Sequence, residues 1–154
     1  QLAFSPEFLR AETAIEDFKN TRDIYVGGDN IGFWHALFRL AFDDDTFTTR
    51  PAEVEELILA KYFRNSFLAT KVAFFNQIYD LCDATGVNYN EVATLVGVDP
   101  RIGLSHTQVT KQRGFGGHCF PKDTAAISRT AEKNKVELSI LDTAVTYNER
   151  IRKE

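Results

Sequence analysis

The sequence of 154 residues predicts a mainly α (α+β) fold, and three observations carry that prediction. No Gly or Pro interrupts the chain between Pro51 and Gly86, which leaves room for one helix of about 50 Å at 1.5 Å rise per residue. Two more helical patterns, over residues 122–133 and 137–152, close the sequence. Before residue 50, short β-type runs alternate with helical ones. With 44% hydrophobic residues, 26% charged residues and 13 phenylalanines, the chain can bury a real core in about one domain, which excludes disorder.

The elements follow in order. Residues 2–4 suit a short strand running into Ser5 and Pro6, which can cap and open a helix over residues 7–18. A second strand is expected at residues 23–26. The turn chemistry of Gly27-Gly28-Asp29-Asn30 then leads into a helix over residues 31–42, with Trp34, Leu37, Phe38 and Ala41 on one face. This strand-helix-strand-helix unit cannot bury both faces of a parallel sheet alone. Asp43-Asp44-Asp45 reads as a solvated face, and residues 46–49 as a loop with one short strand. Pro51 suits the first turn of the long helix, with Glu53, Glu55 and Glu56 at its positive end. From Leu57 to Leu81 that helix is apolar on nearly every side, so a partner subunit is expected to cover one face, giving a homodimer through residues 51–83. A short helix over residues 88–96 and a polar, patternless loop over residues 99–113 precede Gly114-Phe115-Gly116-Gly117-His118-Cys119-Phe120-Pro121-Lys122-Asp123.

Composition narrows the functions. The net charge is −4 and no basic block could track phosphates, so a nucleic-acid partner is excluded. The strongest apolar run, residues 57–60, stops at Lys61, too short for a membrane span. Two cysteines, Cys82 and Cys119, make no disulfide framework, and His35, His106 and His118 add too little for a closed zinc site, so no metal is expected and a reducing, cytoplasmic setting fits. There is no methionine, even at position 1, so the chain is expected to be a piece of a longer protein or a trimmed product.

Cys119 is the candidate nucleophile. It lies two residues before the helix-opening Pro121, where the helix dipole and Lys122 both favour thiolate, and Asp123 is close enough to act as base or orienter. The plainer reading of the same residues, a tight turn with an inert buried thiol, weighs more by residue chemistry alone. Cys82 sits in the apolar register with Ile78 and Tyr79 and reads as core. Lys61 and Asn65, spaced i, i+4, share a helix face, with Asn76 further along the stripe. Lys61 either pairs with a carboxylate such as Glu7 or holds a ligand or an oxyanion.

Several stretches together resemble the nucleotide-sugar dehydrogenases of the UDP-glucose/GDP-mannose dehydrogenase family, nearest to its UDP-glucose branch. They are Ser5-Pro6-Glu7-Phe8-Leu9-Arg10, Lys61-Tyr62-Phe63-Arg64-Asn65 with Phe67-Leu68-Ala69-Thr70-Lys71, Asp99-Pro100-Arg101-Ile102-Gly103, and the segment from Gly114 to Asp123. The resemblance implies a two-step, NAD-dependent oxidation of the sugar's primary alcohol to a carboxylate. Cys119 then matches the nucleophile, Lys61 and Asn65 the groups that steady an oxyanion, and Asp123 and Glu7 the carboxylates of the motif. Gly114, Phe115, Gly116 and Gly117, with Phe8 and Leu9, match the surroundings of the UDP-sugar, Lys122 a cofactor contact, and Arg101 an arginine offered to the neighbouring subunit's substrate.

The resemblance also makes residues 1–50 the remnant of a Rossmann-like NAD-binding domain and residues 51–154 a helical dimerisation domain. Most of the NAD site would lie outside this chain, which alone would be inactive. Two positions depart from the family pattern: Ala11-Glu12 replaces a Glu-Gly pair, and His118 stands where UDP-glucose enzymes often have Ser. A dehydrogenase for another nucleotide sugar, such as UDP-N-acetylmannosamine or GDP-mannose, and a non-catalytic interaction module derived from the family are the alternatives.

Overall fold

A computed structural model describes residues 3–7, 9, 13–42 and 47–152, with the side chain of Phe42 excepted. Phe8, Arg10, the Ala11-Glu12 departure and the acidic triplet at 43–45 lie outside the described residues. The chain divides into two compact units, Gln1–Lys61 and Tyr62–Glu154.

The first unit contains β1 (Ala3–Phe4), α1 (Ala14–Lys19), β2 (Asp23–Gly28), α2 (Ile31–Phe42) and β3 (Thr48–Pro51). Its sheet has the order β1-β2-β3. β1 runs antiparallel to β2, with Ala3 opposite Gly28 and Phe4 opposite Gly27. β3 runs parallel to β2, from Asp23 opposite Thr48 to Val26 opposite Pro51, and a parallel pair needs the crossover that α2 supplies. Ile24 and Val26 alternate inward from β2 and form a core with Phe47, against which Trp34 and Phe38 of α2 pack.

In the first unit, two helix starts differ from expectation. The first helix begins at Ala14 rather than near Pro6, and Glu7 and Leu9 are non-helical. Pairing of β1 with β2 holds this end extended as far as Phe4, and Pro6 is buried just beyond it. Pro51 does not open the long helix but ends β3, an edge position where its missing N–H costs nothing.

The long helix α3 (Val54–Thr85) runs for 32 residues. In the second unit it packs with α4 (Tyr89–Gly97), α5 (Cys119–Lys133) and α6 (Ser139–Ile151). Asn88 caps α4 by accepting the Asn90 N–H at 3.0 Å. One core cluster joins Ala69, Val72 and Ala73 of α3 to Phe115, Ala144 and Tyr147. A second joins Phe75 and Cys82 to Tyr89 and Ala93, so Cys82 is core as expected. All-round burial of α3 is not what this chain provides. Phe63, Phe67, Phe74 and Leu81, at spacings of four and seven, remain 46–70% exposed along one stripe. No helix among the described residues is long and apolar enough to cross a membrane.

Candidate functional site

α5 starts three residues earlier than the expected 122, at Cys119. His118 is its N-cap residue and Cys119 its first helical residue, so Pro121 occupies the first turn, where a missing N–H costs no hydrogen bond. Cys119 is thereby placed on the positive end of a helix of 15 residues, and it is exposed rather than buried as the plainer reading had it.

One turn into α5, Asp123 is 1% exposed. Asn65 of α3 donates to its Oδ2 at 2.6 Å, and Lys122 donates to its Oδ1 at 2.5 Å. The Asp123 carboxylate holds the Lys122 ammonium above the ordinary lysine range, with the charge of Cys119 a smaller contribution. Lys122 itself is 63% exposed at the surface beside Cys119. Three of the predicted residues, Asn65, Lys122 and Asp123, thus form one hydrogen-bonded group, its carboxylate one helical turn after Cys119.

The glycine segment is fastened from two helices. Asn76 of α3, 1% exposed, accepts the Gly114 N–H at 3.1 Å and Nε–H of Arg113 at 2.9 Å. Asn148 of α6 accepts the Phe115 N–H at 2.6 Å and donates to the Phe115 carbonyl at 3.0 Å. Gly114 has a φ of 56°, and a Cβ there would fall 2.1 Å from Asn148 Oδ1, so the position requires glycine on both counts. Phe115 is buried, and its ring meets Phe120 edge-on at 6.2 Å. Arg113 reaches Asp80 at 2.5 Å, and Tyr147 donates to the other oxygen of Asp80 at 2.5 Å. Burial pushes the Asp80 carboxyl up, but these two donors outweigh it and hold the group below the usual carboxylate value.

Asn148 and Arg113 were not singled out in the sequence. The signal for Asn148 was there: Leu141, Ala144 and Asn148 follow the core register of α6, and a polar residue at a core position needs a partner.

Arg101 is 87% exposed and held by Asp99, which accepts its backbone N–H at 2.9 Å and its guanidinium at 2.5 to 3.2 Å. Lys71 of α3 anchors the same loop by donating to the carbonyls of Ile102 and Gly103 at 2.8 and 2.9 Å. In the first unit, Lys61 is half-buried and Glu7 is exposed, and no ion pair joins them among the described residues. Gly27 and Gly28, expected in a turn, belong to β2, and a Cβ on Gly27 would meet the Ala52 carbonyl at 2.8 Å and the Val54 N at 3.1 Å, so this glycine serves close chain packing.

Comparison with known proteins bears on this geometry. A UDP-glucose 6-dehydrogenase of Rhizobium meliloti is 39% identical over 153 residues, spanning 94% of this chain and 34% of that protein. The enzyme of that name from Rickettsia prowazekii is also 39% identical, over 152 residues. The solved structure of a UDP-glucose dehydrogenase from Pyrobaculum islandicum superimposes with a TM-score of 0.83 at 34% identity, covering 96% of this chain and 34% of that one. The chain therefore spans about a third of the length of these relatives. The family model that matches describes the central domain of the UDP-glucose/GDP-mannose dehydrogenase family and aligns with residues 55–150, from the start of α3 to the end of α6. This chain belongs to the UDP-glucose/GDP-mannose dehydrogenase family and contains its central domain.

Proposed function

We propose that this chain carries the thiol centre for oxidation of a nucleotide sugar, UDP-glucose, at its primary alcohol, yielding the uronate. The observation that supports this best is Cys119, exposed on the first turn of α5 in front of the buried Asp123–Asn65 pair. NAD⁺, when bound, would supply the hydride acceptor for both oxidations. In the second, Cys119 Sγ adds to the aldehyde carbon and the carbonyl electron pair moves to oxygen, giving a thiohemiacetal. Hydride loss leaves a thioester on Sγ. Water then adds to its carbon, the C–S bond breaks with its electrons returning to sulfur, and the sugar leaves as a carboxylate.

Lys61 and Asn65 steady the oxyanion, and Asp123 orients the water, a role suited to a carboxylate fixed by two donors. Glu7 acts with them in proton handling. Gly114, Phe115, Gly116 and Gly117, with Phe8 and Leu9, surround the sugar, and Lys122 contacts NAD. Residues 1–50 form the tail of the cofactor domain and residues 51–154 the central one. A homodimer formed through the exposed stripe of α3 brings Arg101 to the neighbouring site.

The test grafts this chain in place of the matched third of the Rhizobium meliloti relative and supplies UDP-glucose and NAD⁺. The expected result is two NADH per sugar, with Cys119→Ala abolishing uronate formation. A well-folded graft whose Cys119→Ala variant forms uronate as fast as its parent overturns the thiol assignment.

A further inference from the structure

We propose that Asn148 is a positioning residue for Cys119, acting through the backbone of Phe115; the inference rests on, and deepens, the reading of Cys119 as nucleophile. The glycine segment enters the site through two consecutive residues in the left-handed region, Arg113 at φ 59° and Gly114 at φ 56°. A backbone so turned has no ladder or helix partners, and it persists only where its surroundings over-determine it.

Side chains supply what secondary structure does not. Arg152 donates to the Arg113 carbonyl at 3.1 Å, Asn76 accepts from Gly114, and Asn148 satisfies both backbone groups of Phe115. Of these anchors, Asn148 alone fixes the rotation of the Phe115 peptide units, because its amide both donates and accepts at one residue. It is 7% exposed, so water does not compete for these bonds.

Phe115 transmits the constraint. Its buried ring packs edge-on against Phe120, the residue after Cys119, and the Phe120 ring also meets that of His106 at 5.7 Å. Asn148 therefore sets where the first turn of α5 begins, and with it the exposure of Sγ to the helix N-terminus and to Lys122. An apolar residue at position 148 would fill the core equally well but could not hold the loop.

The chain contains its own control, because Cys82 is buried in a separate cluster while Cys119 is exposed. Alkylation by iodoacetamide, read separately at each cysteine by mass spectrometry, is compared among the full 154-residue chain, Asn148→Ala, Gly114→Ala and the double variant. Asn148→Ala removes both bonds to Phe115 and is expected to slow Cys119 by at least about fivefold, while Cys82 stays protected. Gly114→Ala slows it in the same direction, since its methyl would meet Asn148 Oδ1 at 2.1 Å. The double variant is no slower than either single one, because both act on one clamp. An unchanged or faster Cys119, additive losses, or a Cys82 opened by Asn148→Ala would each overturn the positioning role. None of these readouts involves a sugar, so the nucleophile assignment stands or falls separately in the graft.

Discussion

Asp123 gathers the polar bonding of the candidate site onto one buried carboxylate. Removing it leaves Asn65 Nδ2 without an acceptor on the inner side of α5 and takes away the partner of Lys122. Asp123→Ala is therefore expected to cost roughly 1–3 kcal/mol in urea unfolding, the range for breaking a buried hydrogen bond to a charged group. Asn65→Ala in the Asp123→Ala background should then cost less than Asn65→Ala alone; equal costs would show that the two do not act together. Cys119 and Asp123 stand out in the sequence through the glycine- and proline-marked segment they share, and Lys61 and Asn65 through their i, i+4 spacing in an apolar helix. The Asn65–Asp123 bond was not legible there, since it joins residues 58 apart. The core register of α6 marks Asn148 as a polar residue in need of a partner, but which partner was not legible, because it is loop backbone with no side-chain pattern to match against.

At the scale of elements, α3 shows what composition can and cannot resolve. Its length was legible from the absence of Gly and Pro, and α2 was placed residue for residue by its apolar spacing. Its environment was not, because a helix greasy all round gives no preferred face. The fold buries Ala69, Val72, Ala73, Phe75 and Asn76 and leaves Phe63, Phe67, Phe74 and Leu81 outward. Pro51 misled in the same local way, since proline suits an edge strand as well as a first helical turn. If the outward stripe is the proposed self-association face, each of its phenylalanines contributes roughly 1.5–3 kcal/mol to the contact. Phe67→Glu should then weaken the dimer by at least about tenfold in sedimentation, with helix content by circular dichroism unchanged. A wild-type chain that sediments as a monomer at high concentration would refute that face.

At the scale of the second unit, a long irregular segment, residues 98–118, is held in place by side chains rather than by secondary structure. Its first part, residues 99–113, has no helix or strand pattern in the sequence because its order comes from outside it: Lys71 holds Ile102 and Gly103, Tyr89 donates to the Thr107 carbonyl, and Tyr147 with Asp80 holds Arg113. Two of these fasteners are phenols that must stay protonated. Burial pushes Tyr89 up to about 12, with the charge of Cys82 a smaller cause. Burial, and then the bond to Asp80, pushes Tyr147 to about 12 as well. A folded-state value raised above the unfolded one gives stability that is complete below about pH 10 and is lost as pH rises towards about 12, because the unfolded chain sheds the proton first. Linkage makes each phenol worth about 2 kcal/mol across that window. Lys71, which burial lowers, works in the opposite sense over its own titration, while Lys122, raised by its bond to Asp123, adds to the fall. The melting temperature should therefore drop steeply above pH 10, and tyrosinate absorbance should show two of the five tyrosines ionising only as the fold is lost. Tyr147→Phe lowers stability at neutral pH by removing a donor to Asp80, yet it should flatten the alkaline decline. A variant whose decline is as steep as the parent's would mean that Tyr147 is not one of the groups that tie this loop down.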